Sequence, residues 1–156
     1  MDYQIWKRNP NLVSGQEYVT NQLVAKEAST KGFGAIIDEY VYINSENVDS
    51  TFNIIPKSSG LIHGVGIDLG GGVGCISSTL ARRDLVDKIY CVELVEDAVK
   101  LCHKIVKQEI LKNEEHKVVS VVGDYDNLEL EDNSIDFAVS WDSMHHSTDP
   151  VKTFKE

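Results

Sequence analysis

The chain has 156 residues, which is enough for one domain with a hydrophobic core and too few for two ordinary domains. A hydrophobic content of 42% is typical of a globular protein, and no apolar run is long enough to cross a bilayer. The formal charge of −10 argues against nucleic acid or an anionic membrane surface as the main partner.

The first predicted helix follows Ser14 and Glu17, which have the spacing of a capping box. Apolar residues then recur at helical spacing, and Gly32 and Gly34 would end the helix. The next segment, 35–43, is ambiguous, because its apolar residues fit a helix while its β-branched and aromatic content also fits a strand.

A polar, turn-rich stretch at 44–60 marks a break in composition. We therefore divide the chain into an N-terminal helical extension with its linker, 1–60, and a main domain, 61–156. The aromatic residues of the extension would either form a lid over a ligand or simply pack on the main domain, and we slightly favour packing. They are Tyr3, Trp6, Tyr18, Tyr40 and Tyr42.

In the main domain, predicted strands alternate with predicted helices over 72–82 and 95–112. Near-continuous Val and Ile runs separated by helices indicate parallel strands that are covered on both faces. We therefore predict a doubly wound α/β sheet, a fold that binds ligands beyond the carboxyl ends of its strands. The four predicted strands are 65–69, 88–94, 117–124 and 134–141.

The last predicted element is a short helix at Asp149 and Pro150, a capping side chain followed by proline at the first helical position. No strand follows it, so the predicted sheet of about four strands is incomplete at its C-terminal side and has an open edge. We expect either that the domain is truncated or that the edge pairs with another copy in a homo-oligomer.

The three cysteines, Cys75, Cys91 and Cys102, are odd in number and form no C-x-x-C pair. Their apolar surroundings predict buried, reduced thiols rather than a metal site. The N-terminus also lacks the apolar region of a secretory signal. These features together predict a cytoplasmic protein.

Five glycines surround one aspartate in the stretch GIDLGGGVG at 66–74. Glycine inside regular structure costs about 0.5–1 kcal/mol relative to alanine, so the cluster needs a reason. A tight turn with close helix–strand packing is one reason, although it usually needs only one or two glycines. We favour the other reason, a loop whose backbone approaches a ligand and points free N–H groups at it.

The loop does not fit the dinucleotide pattern G-x-G-x-x-G, because its third position is Cys75. The series D-x-G-x-G-x-G at 68–74 instead resembles the first motif of the class I, Rossmann-like S-adenosylmethionine-dependent methyltransferases. Glu93 ends the second predicted strand, where this family places an acid on the ribose hydroxyls. Residues 123–150 resemble the third- and fourth-strand region of the family, especially its small-molecule branch.

The resemblance implies S-adenosylmethionine as the cofactor. It implies that Glu93 binds the ribose, that Asp124 takes the adenine amino group beside Tyr125, and that Asp68 holds the loop or the amino end of the cofactor. Trp141 would be in reach of the sulfonium. A surface acid, a turn aspartate and a core tryptophan remain the alternatives for Glu93, Asp124 and Trp141. The predicted cofactor-binding set is Asp68, Gly70, Gly71, Gly72, Gly74, Glu93, Leu94, Asp124, Tyr125 and Trp141.

The implied activity is in-line transfer of a methyl group to a small-molecule acceptor. His146 matches a histidine common in the small-molecule branch and is the candidate general base, with Asp142 as the alternative. A structural role for His145 and His146 is equally open, and no metal is predicted, because adjacent histidines rarely chelate one ion. Two other functions stay open: a non-catalytic nucleotide-binding module and, less favoured, an NAD-dependent oxidoreductase.

Overall fold

The computed structural model describes residues 2–12, 15–38, 60–147 and 149–155. Its strands are β1 (Gln4–Ile5), β2 (Gly64–Leu69), β3 (Val86–Glu93), β4 (Val118–Val122) and β5 (Phe137–Val139). They form one parallel sheet in the order β1-β4-β3-β2-β5. Each of the four predicted strands overlaps one of β2 to β5, and the predicted α/β class is confirmed.

The fifth strand, β1, is an addition that the sequence did not predict. Gln4 and Ile5 pair in parallel with Val121 and Val122 at the edge of β4. The ladder continues through the N–H of Trp6, which donates to the carbonyl of Val122 over 2.9 Å. Two residues are too few to show an alternating pattern, so only the long-range pairing reveals this strand.

The helices are α1 (Gln16–Lys31), α2 (Cys75–Ala81), α3 (Lys104–Ile110) and α4 (Pro150–Thr153). The N-cap of α1 is Gly15, without a capping side chain; the predicted capping residue, Ser14, lies outside the described residues. Gly32 ends α1 with a φ of 58°, as predicted. The predicted start of the last helix is confirmed, because the Asp149 side chain accepts the N–H of Lys152.

A π-helical segment, Ala98–His103, leads directly into α3. Such a segment holds one more residue per hydrogen-bonded turn than an α-helix does, and π-helical turns are frequent at functional sites. The sequence predicted one continuous helix over 95–112. The buried residues of the segment and of α3 nevertheless keep helical spacing.

The sheet is covered differently on its two faces. Alternate residues of β3 point to opposite sides, so Ile89 and Cys91 meet a cluster to which α1, α2 and α3 all contribute. Val92 points to the other face. There it packs with Trp6, Ile67 and Val121, with Leu128, Leu130 and Ile135 against them.

Gly66 lies where β2 passes beneath the ring of Phe137 on β5. A Cβ atom built on Gly66 would be 2.2 Å from Cζ of Phe137. We expect Gly66→Ala to lower the free energy of unfolding by about 1–3 kcal/mol, the usual cost of overpacking a core. Urea denaturation measures this, with Gly34→Ala as the control, because a Cβ at Gly34 meets nothing within 4 Å. Equal stabilities for the two variants would contradict the predicted clash.

Cys75, Cys91 and Cys102 are buried thiols that form no disulfide, as predicted. In the described part of the chain, no helix has both the length and the apolar character needed to cross a membrane. The predictions for residues 39–59, including the roles of Tyr40 and Tyr42, lie outside the described residues.

Candidate functional site

A cavity of about 600 Å³ lies beyond the carboxyl ends of the strands, where the sequence predicts a ligand site. Loops that follow β2, β3, β4 and β5 surround it. The N-terminal strap, which we define as residues 6–12, and α1 complete the wall. The predicted site residues that line the cavity are Gly70, Gly71, Gly72, Glu93, Leu94, Asp124, Tyr125, Trp141 and His146.

The glycine loop, residues 70–74, is packed tightly on the side that faces away from the cavity. A Cβ atom on Gly70 would lie 2.4 Å from Cβ of Ser143, and one on Gly71 would lie 2.3 Å from Sγ of Cys91. The N–H groups of both glycines donate to the carbonyl of Val92, over 3.0 and 2.9 Å. Close packing therefore accounts for the missing side chains at the back of the loop, while its front faces the cavity.

Glu93 is buried at the floor of the cavity and holds the glycine loop. Its Oε2 accepts the N–H of Gly72 over 2.9 Å and its Oε1 accepts the N–H of Val95 over 2.8 Å. Burial raises the pKa of Glu93 to about 7, although these N–H groups and the side chain of Asn21 lower it in part. The carboxyl group therefore changes its charge near neutral pH in the ligand-free chain.

Asp124 is also buried, and its carboxylate organises the turn after β4. Oδ1 accepts the N–H of Asp126 over 2.9 Å. Oδ2 accepts both the backbone N–H of Asn9 and Nδ2 of Asn127, each over 3.2 Å. This is the turn role that the sequence analysis left open, and it also fastens the N-terminal strap to the cavity wall.

Tyr125 connects two sides of the cavity. Its hydroxyl donates to the carbonyl of Ser143 over 3.2 Å. Burial, followed by the neighbouring carboxylates of Asp126 and Asp124, raises the pKa of Tyr125 to about 12. The phenol is therefore neutral and able to donate at physiological pH. This bond ties the loop after β4 to the segment after β5.

Two predicted site residues do not line the cavity. Asp68 is buried behind the loop, where it accepts the Ser77 hydroxyl over 2.7 Å, and burial raises its pKa to about 6. Gly74 precedes α2 with a φ of 92° and lies against the ring of His103. Asp68 is therefore bonded to α2 and Gly74 lies at the start of α2, so both residues are behind the wall rather than in it.

The segment after β5 brings two titratable side chains to the rim of the cavity. Asp142 and His146 line the cavity, and the N–H of His146 donates to the carbonyl of Ser143 over 2.9 Å. The rings of His145 and His146 lie 3.9 Å apart, and Nδ1 of His145 is 3.7 Å from Asp142. Trp141 is half-buried between the cavity and the core.

Residues of the predicted N-terminal extension form part of the wall, and among them sequence reasoning singled out only Tyr18, as a possible lid residue. Tyr18 lines the cavity, as a lid residue would, whereas Trp6 packs on the sheet. The other lining residues had no signal beyond their position near a strand end or near α1. They are Asn11, Leu12, Gly15, Asn21, Ile76, Val92, Val95, Gly123 and Ser143.

A parallel sheet with a glycine loop after one strand and a buried acid at the end of the next defines a doubly wound, nucleotide-binding α/β domain. A family model described as a methyltransferase domain matches residues 67–156. This match covers more than half of the chain, and the chain belongs to that family, the class I S-adenosylmethionine-dependent methyltransferases. S-adenosylmethionine is the cofactor of this class.

Two solved structures share the fold. One, from Methanococcus maripaludis and described as an S-adenosyl-L-methionine-dependent methyltransferase, has a TM-score of 0.58 and 23% identity over 86% of this chain and 54% of its own. The other is a methyltransferase of the same kind from Leishmania major, with a TM-score of 0.58 and 16% identity over 99% of this chain and 69% of its own. This chain thus spans about half the length of the first structure. A search of curated proteins finds no match.

Proposed function

We propose that this chain binds S-adenosylmethionine in the cavity and transfers its methyl group to a small-molecule acceptor. The observation that carries the proposal is that the glycine loop and the buried carboxylate of Glu93 meet at one cavity of about 600 Å³. Sites for small molecules and cofactors have volumes of roughly 300–1,000 Å³, so the space suits a nucleoside-sized ligand.

Glu93 is the proposed partner of the ribose. A carboxylate offers roughly four lone-pair sites, and here it accepts the N–H groups of Gly72 and Val95 and the side chain of Asn21. We propose that a ribose hydroxyl replaces the Asn21 amide, while the two backbone bonds keep the carboxylate in place. Charged acceptors form stronger hydrogen bonds than neutral ones do, which favours an ionised acid at this position.

Asp124 and Tyr125 are the proposed neighbours of the adenine. Three chain groups already donate to the Asp124 carboxylate, so roughly one lone-pair site is left for an adenine amino group. The ring of Tyr125 is fixed by its bond to Ser143 and offers a flat surface beside the base. Asp68 and Gly74 would act from behind, by holding the loop and the start of α2.

S-adenosylmethionine, when bound, supplies a methyl carbon that the positive sulfur activates. The contribution of the chain is alignment of the acceptor with that carbon, and alignment lowers a barrier by roughly 7–11 kcal/mol. We propose that Trp141 lies beside the sulfonium and that His146, at the rim, accepts a proton from the acceptor. Asp142 lines the same rim and is the alternative base.

We further propose a cytoplasmic location and no nucleic-acid partner. Three buried cysteines that form no disulfide support a reducing compartment, and the net charge of −10 opposes binding to a polyanion. In the described residues β5 pairs with β2 on one side. No strand of the described residues pairs with its other side, and we propose that a second copy of the chain completes the sheet there.

Calorimetric titration with S-adenosylmethionine, S-adenosylhomocysteine and NAD tests the function. We expect saturable binding of the first two ligands and none of NAD. The proposal would be overturned if only NAD bound, or if a folded chain bound none of the three ligands. Binding followed by no methyl transfer to any of a panel of small acceptors would leave a non-catalytic binding module instead.

A further inference from the structure

His103 lies against the glycine loop, although it is far from the loop in the sequence. Its side chain is 1% exposed, and its Nε2 lies 3.0 Å from the carbonyl oxygen of Gly72. Its Cδ2 would be 3.2 Å from a Cβ atom built on Gly74. The ring therefore fills the space between the loop and the helical layer, directly behind the proposed cofactor cradle.

The hydrogen bond fixes the chemical form of the ring. Sγ of Cys91 lies 3.7 Å from the same Nε2, but the carbonyl oxygen is closer and can only accept, so Nε2 carries the hydrogen and Nδ1 carries a lone pair. Nδ1 has no hydrogen-bond partner among the described residues, and an added proton there would be buried and unpaired. Burial, together with the positive charge of Lys107, lowers the pKa of His103 to about 4, which keeps the ring neutral at physiological pH.

The π-helical segment places this ring under the loop. His103 is the last residue of Ala98–His103, and four residues of that segment are buried. The extra residue in the turn shifts the register of the side chains that follow.

Both backbone polar groups of Gly72, its N–H and its carbonyl, are hydrogen-bonded. Its N–H donates to Glu93, and its carbonyl accepts from His103, while its φ of 55° lies in the left-handed region. In the proposed complex Glu93 keeps its bond to the Gly72 N–H, and the bond from His103 holds the carbonyl of the same residue, a contact that the proposed ligand does not replace.

We propose that His103 is a positioning residue, which holds the glycine loop in its ligand-binding conformation through the bond from Nε2–H to the Gly72 carbonyl. The inference rests on the proposed cofactor site, because it assigns the support of that same loop. It is separate from the acid and glycine motif, since neither the loop nor the strand ends contain His103.

Nitrogen-15 NMR of the imidazole in the unmodified chain is the first test, and it needs no variant. We expect the neutral ring with hydrogen on Nε2 and a hydrogen-bonded Nε2–H. A ring with hydrogen on Nδ1, or an imidazolium at neutral pH, would overturn the inference.

A matched pair of variants tests the consequence for binding. The amide nitrogen of glutamine reaches about as far as Nε2, whereas that of asparagine ends near the place of Nδ1. We expect His103→Gln to bind S-adenosylhomocysteine within about threefold of the unmodified chain, and His103→Asn to bind at least about tenfold more weakly. His116→Gln, at an exposed histidine, is the control. Equal affinities for the two His103 variants, when both show a cooperative melting transition, would overturn the inference.

Hydrogen exchange in the ligand-free chain separates this inference from the proposed function. We expect the Gly72 and Gly74 amides to exchange about tenfold faster in His103→Asn than in His103→Gln. Equal exchange in the two variants would overturn the role of His103 whether or not the chain binds S-adenosylmethionine. Unequal exchange without any cofactor binding would support His103 and remove only the proposed ligand.

Discussion

Gly70→Val is expected to lower the free energy of unfolding by about 2–5 kcal/mol and to abolish measurable binding of S-adenosylhomocysteine. Gly70 has a φ of 79°, and a β-branched residue is a clear outlier in that region. The new Cβ would also lie 2.4 Å from Cβ of Ser143. Relief of this contact has to move either the loop or the segment after β5, and both line the cavity.

Urea denaturation and calorimetry measure the two effects of Gly70→Val. Gly34→Val is the matched control, because Gly34 is exposed and a Cβ there meets nothing within 4 Å. If Gly70→Val had the stability and the affinity of the control, the loop would have to tolerate a side chain. The assignment of this glycine to a close backbone approach would then be wrong.

Glu93→Gln is expected to weaken binding of S-adenosylhomocysteine at pH 8 by about 10- to 150-fold, the loss of roughly 1.5–3 kcal/mol for a hydrogen bond to a charged group. The two carboxylate oxygens accept the N–H groups of Gly72 and Val95. A glutamine has one acceptor oxygen, so one of these N–H groups would face an NH₂ group instead. The variant therefore loses both the charge and the fixed position of the loop.

The pH dependence gives a second readout for Glu93. Burial raises the pKa of its carboxyl to about 7 in the ligand-free chain, so the ionised form is lost as the pH falls through 7. A ligand that requires the carboxylate should bind about tenfold more weakly for each pH unit below that point. We expect this slope in the unmodified chain and in Glu109→Gln, an exposed control on α3, and no slope in Glu93→Gln. A flat profile in the unmodified chain would exclude the carboxylate as the charged partner of the ligand.

Much of the site could be predicted because buried parallel strands are recognisable in the sequence as short, nearly continuous apolar runs. The apolar runs of β2 and β3 place the glycine loop and Glu93 at the same edge of the sheet, and proximity in the cavity follows from that register. The alternative roles were harder to separate. Whether Asp124 serves the turn or a ligand depends on the groups that donate to its carboxylate. Asn9 is distant in the sequence, and nothing in the local sequence marks Asn127 as a donor.

His103 and Ser143 could not be predicted from the sequence. The spacing of the buried residues around His103 is that of a regular helix, so the sequence places His103 on the covered face but does not show that its ring meets Gly72. Ser143 contacts Gly70 because the segment after β5 folds back to Leu69, whose carbonyl accepts the Ser143 hydroxyl. Both contacts depend on tertiary packing, which overrides local propensity.

The pairing of β1 with β4 sets the order in which the cavity can be completed during synthesis on the ribosome. Gln4 pairs with Val121, more than a hundred residues later in the chain, so β1 has to wait until β4 has emerged. Contacts between such distant residues form late, because they close the longest loops. The N-terminal strap is attached to β1 and follows it into place. A fusion that restrains the N-terminus would therefore delay the finished binding site without touching the glycine loop.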